Sequence, residues 1–112
     1  MMLNEEKLEQ MMLELGFPEN LRGTHYLREA AALWSRKPLQ SITQELYPAI
    51  AEAHSAKPEQ VERCMRSAIE RAWQQGNPEV QRRIFGWTYS AQMGRPRVGE
   101  FVARIARVCN EN

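Results

Sequence analysis

Two prolines ten residues apart, Pro48 and Pro58, frame the segment PAIAEAHSAKPEQVERCMR (48–66) and leave it few ways to fold. Proline has no amide proton and disfavours a helical conformation in the residue before it, yet it suits the first turn of a helix. Pro48 therefore interrupts a helix that begins at Ser41 and opens a short new one, while Lys57 and Pro58 open a second that lasts until Gly76. Between them Ala51 supplies a small residue for a close helix crossing, Ser55 sits in the tight turn, and Val61 anchors the second helix. Those positions meet the packing needs of a helix-turn-helix.

Helical spacing turns Val61, Cys64, Met65, Ala68, Ile69, Ala72 and Trp73 inward, which leaves Lys57, Glu59, Glu62, Arg63 and Arg66 facing out early in the second helix. The guanidinium fork matches the O6 and N7 acceptors of guanine, and a carboxylate accepts from the N4 amino group of cytosine. Glu62, Arg63 and Arg66 thus suit a site in which G and C lie close together. The same three residues equally fit a solvated face laced with helix ion pairs.

The chain expected around this unit is all-α. Asn4 caps a first helix with Glu5 and Glu6 in its first turn, Leu8, Met11, Met12 and Leu15 form its apolar stripe, and Gly16 and Pro18 end it. A second helix runs from Thr24, as cap, to Trp34, with Tyr26 and Trp34 in the core. A short fifth helix spans Pro78 to Phe85. The stretch from Gly86 to Gly99 reads as a structured loop, and a last helix, Val98 to Asn110, carries Phe101, Val102, Ile105 and Val108 inward and Arg104 and Arg107 outward. Arg95 and Arg97 feed the start of that helix, where backbone amides and the helix dipole favour an anion.

The segments GTHYLREA (23–30), SITQELYPAIA (41–51), VERCMRSAIERAW (61–73), GN (76–77), FGWT (85–88) and EF (100–101) together resemble the C-terminal effector domain of the sporulation stage-zero master response regulator family. The likeness runs in one register from about Leu8 to Cys109. It implies a compact bundle of about six helices and a transcription regulator, activator or repressor, that reads a TGTCGAA-like box through Glu62, Arg63 and Arg66. Backbone contacts then fall to Lys57, Ser67, Arg71, Arg95 and Arg97. It also implies a contact with the sigma subunit of RNA polymerase near Glu70, Phe85 and Tyr89, and a head-to-tail dimer on tandem sites. A module that touches the polymerase and binds DNA weakly or not at all is the alternative. The chain departs from the family pattern at Ser67, where a histidine is usual, at Glu52 and Ala53, which replace lysines, at His54 in a usually apolar turn, and at Tyr89, which replaces a smaller aliphatic residue.

Composition narrows the remaining classes. At 112 residues, 43% hydrophobic and 26% charged, the chain is expected to form one globular domain, residues 1–112. The net charge of +1 conceals an asymmetry: residues 1–56 hold five Lys/Arg against eight Glu, and residues 57–112 hold ten against six. All fourteen acidic residues are glutamates. A receiver domain of a two-component system needs aspartates, so none is expected within these residues, and the chain is either an excised effector domain or a stand-alone relative that escapes that control. No run approaches the roughly eighteen apolar residues of a membrane span and the N-terminus lacks the pattern of a secretion signal, so a cytoplasmic, nucleoid-associated protein with no membrane partner is expected. Cys64 and Cys109 lack metal or redox spacing and are expected to be free thiols. There is no phosphate-binding glycine loop or nucleophile elbow, and His25 and His54 are solitary, so no enzyme, cofactor or metal is expected.

Overall fold

A computed structural model describes residues 3–37, 41–86 and 94–110. Among these are six α-helices and no strand longer than a single bridge. Helix α1 (Glu5–Leu15) starts where Asn4 Oδ1 accepts from the Lys7 amide at 3.1 Å, and it ends at Gly16, whose φ of 97° lets its N–H reach the carbonyls of Met12 and Leu13.

Helix α2 (Arg22–Arg36) is capped by Leu21, three residues before the cap that the sequence suggests. Thr24 is not its cap. It lies inside the first turn, 3% exposed, and its hydroxyl donates back to the Pro18 carbonyl at 2.7 Å, which fixes the turn leading into the helix. Gly23 precedes it at a crossing with the later helix α4, where a Cβ would lie 2.0 Å from the Cys64 carbonyl oxygen.

The helix expected to start at Ser41 forms as a single π-helical turn, Ile42–Leu46. Ser41 caps it, its hydroxyl accepting from the Gln44 amide at 3.0 Å. Pro48 accounts for the wide turn, because an α-helical continuation would drive its ring into the Gln44 carbonyl and leave that carbonyl without a donor. Helix α3 (Tyr47–Ala53) then carries Pro48 in its first turn, as expected. After His54, Ser55 takes the left-handed conformation with φ 53°, and the Ala56 amide closes the turn on the Ala51 carbonyl at 2.9 Å. Helices α4 (Pro58–Gln75) and α5 (Pro78–Phe85) follow with the bounds that their prolines and Gly76 imply.

Helix α6 (Val98–Cys109) completes the molecule by packing on α2 and α1. Its partner in holding the ends together is the N-terminus: the Asn4 amide donates to the Cys109 carbonyl at 2.8 Å, beside a bridge between Leu3 and Asn110. Phe101, fully buried, stacks on Phe85 with ring centroids 5.4 Å apart, and Phe17 and Trp73 meet the pair edge-on or tilted. Burying side chains of this size stabilises the fold by about 1.5 to 3 kcal/mol each. Arg104, expected to be exposed, is half-buried, and its Nε donates to the Ile84 carbonyl at 2.8 Å near the end of α5. None of the helices among the described residues is long and apolar enough to cross a membrane.

Candidate nucleic-acid interface

Helices α3 and α4 form the bihelical unit. Ala51 and Val61 are 2% and 0% exposed, so both do the packing that the sequence assigns them. Met65, Ala68, Ile69 and Ala72 continue the buried stripe of α4, whereas Cys64 and Trp73, also expected inward, lie at its edges and are half-buried. The opposite face is free of core contacts. Lys57, Glu59, Arg63, Arg66, Ser67 and Arg71 are exposed there, and Glu62 is half-exposed.

Two of the three expected reading residues are joined to each other. Arg66 Nε donates to Glu62 Oε2 at 3.0 Å, one helical turn apart, in a pair open enough to water to contribute little to stability. Arg63 forms none of the ion pairs among the described residues and projects alone. A cleft of about 350 Å³ runs between α4 and the start of α6, lined by Tyr47, Glu62, Arg66 and Ile69 on one side and by residues 95–99 on the other. Burial, and then the Glu62 carboxylate, push the Tyr47 phenol up to about 12, with Arg66 acting the other way.

The two arginines before α6 have different surroundings. Arg95 is half-buried and donates to Glu70 Oε2 of α4 at 2.8 Å, which brings a residue expected at the phosphate backbone together with one expected at the polymerase. Arg97 is exposed at the mouth of the cleft, and its amide donates to Glu100 Oε1 at 3.0 Å. Phe85, expected at the polymerase surface, is 1% exposed; its ring is part of the aromatic core and reaches no partner without opening it. Tyr89 and Trp87 lie outside the described residues.

A further tie is not legible from the sequence. His54 Nε2 meets Glu29 Oε2 of α2 at 2.5 Å, and the Tyr26 ring packs edge-on to the imidazole at 5.0 Å. This strap ties the turn after α3 to α2 and gives the polar His54 two partners. Twenty-five residues separate the ion-pair partners, so helical spacing offers no signal.

Residues 8–109 match the family model described as sporulation initiation factor Spo0A C terminal. The chain belongs to this family. The family is one of DNA-binding regulators of transcription and not of enzymes. The match runs from within α1 to the end of α6. Among the described residues no group of three His, Cys, Asp or Glu side chains is placed to hold a metal ion. Cys64 and Cys109 are free thiols, the second fully buried and pushed up by that burial, with Lys7 opposing.

Proposed function

We propose that residues 1–112 form a single effector domain that binds DNA sequence-specifically, with α4 in the major groove of a TGTCGAA-like box. One observation carries this reading: Glu62, Arg63 and Arg66 share the outer face of the second helix of a helix-turn-helix whose inner face is core. Arg63, outside the ion pairs among the described residues, takes a guanine by its bidentate fork. Arg66 takes a second guanine after leaving Glu62, which then accepts from cytosine. Lys57, Ser67, Arg71 and Arg97 lie exposed around that face, where they hold phosphates; Arg95 does so once it parts from Glu70. The family resemblance adds a head-to-tail pair on tandem boxes to this reading.

Contact with the sigma subunit has narrower support. Of Glu70, Phe85 and Tyr89, the half-exposed Glu70 is the one side chain within the described residues that a partner can reach, and Arg95 already engages it.

Base and phosphate contacts separate in a substitution experiment. Arg66→Ala relaxes preference at one base pair at a cost of ~1 to 3 kcal/mol, whereas Arg97→Ala weakens every duplex alike and lowers the slope of log affinity against log salt by about one. Binding isotherms over a salt series with single-base duplex variants measure both. Identical effects of the two substitutions would remove the distinction between reading and clamping residues.

A further inference from the structure

Tyr47 is held at its backbone on both sides and has no task in the reading above. Its amide donates to the Ile42 carbonyl at the end of the π-helical turn, and Pro48 restricts the backbone on the other side. The half-buried Tyr47 lines the cleft together with Glu62 and Arg66, the two charged residues of α4 there. Burial pushes the phenol up from its ordinary value, so near neutral pH the hydroxyl keeps its proton and is a hydrogen-bond donor.

The Glu62 carboxylate has two oxygens, and in the free protein Arg66 occupies Oε2. Once Arg66 turns to a guanine, Glu62 is left without its donor while it must still present an oxygen at a defined angle to a base. Arg95, across the cleft, is held by Glu70. We propose that Tyr47 is a positioning residue for base recognition: its hydroxyl takes one oxygen of Glu62 as Arg66 departs and so aims the other at the N4 amino group of cytosine. This rests on the assignment of Glu62 and Arg66 as base readers. It adds a residue of α3, outside the recognition helix, to the determinants of specificity.

The test is a double-mutant cycle on the 112-residue chain with Tyr47→Phe, Glu62→Ala and both together. Each protein is titrated with the core duplex, a scrambled duplex and a core duplex in which the cytosine pair is replaced. The expected result for Tyr47→Phe is an unchanged thermal midpoint, unchanged affinity for scrambled DNA, and a roughly ten-fold loss of discrimination at that one pair, as for a hydrogen bond to a charged acceptor. The double variant should then match Glu62→Ala. Discrimination that survives Tyr47→Phe, a uniform loss across all three duplexes, or additive effects in the double variant would overturn the role of Tyr47. Should Glu62→Ala leave base preference intact at every position, the base-reading assignment itself fails, and that outcome is separable because it does not involve Tyr47.

Discussion

Tyr47 also makes the clearest case for what burial does to a single titrating group. Its phenol titrates at about 12 in the folded chain against an ordinary value of 10.0, raised first by burial and then by Glu62. Between those values the unfolded chain has released the proton and the folded chain still holds it. The folded state thus binds more protons, so stability falls as pH rises through this window; below pH 10 the contribution is fully present. Denaturant midpoints measured below pH 10 and at about pH 11 should drop more steeply for the parent than for Tyr47→Phe. Equal slopes would mean that the ring is better solvated than the cleft implies. At this scale the sequence is a partial guide. Glu62, Arg63 and Arg66 are legible because helical spacing alone decides which side of α4 they occupy. The pairs Glu70 with Arg95 and Glu29 with His54 are not, since the members of each lie twenty-five residues apart and only the packing of whole helices brings them together.

Among the elements, α4 and α5 are the most legible because their ends are fixed by residues with few conformational choices: Pro58, Gly76 and Pro78. The start of α2 is hidden because Thr24 is a good cap by composition, but the tertiary need for its hydroxyl at Pro18 and for Gly23 at the α4 crossing draws the helix back to Arg22. Ser41 does open a helical turn, yet that turn is π-helical, a state that spacing does not distinguish from α. The crossing of α2 and α4 seats α4 on the body, and Gly23 is a point of close approach within it. Gly23→Ala brings a Cβ to 2.0 Å from the backbone oxygen of Cys64, which cannot swing aside as a side-chain tip would. A loss of about 2 to 3 kcal/mol is expected, at the upper end for overpacking and despite a helix-propensity gain of roughly 1 kcal/mol. Urea unfolding measures it directly. A raised midpoint would show that propensity wins and that the two helices have slack between them.

For the molecule as a whole, the division of labour follows the charge pattern. The acidic first half supplies the brace: α1 and α2 pack with α6, and the chain ends are joined where the Asn4 amide meets the Cys109 carbonyl. The basic second half contains α4 and the start of α6, the two elements that flank the cleft. A near-neutral net charge is therefore compatible with a cationic face, and binding should depend on matched base contacts more than on bulk attraction. The most direct measurement is fluorescence anisotropy with a TGTCGAA-like duplex and a scrambled duplex at two salt concentrations, for the parent and Arg63→Ala. Preference for the core duplex by about three orders of magnitude or more, reduced by roughly 5- to 150-fold in Arg63→Ala, is the expected result. Equal, weak, salt-sensitive binding to both duplexes, indifferent to Arg63, would contradict sequence reading by α4.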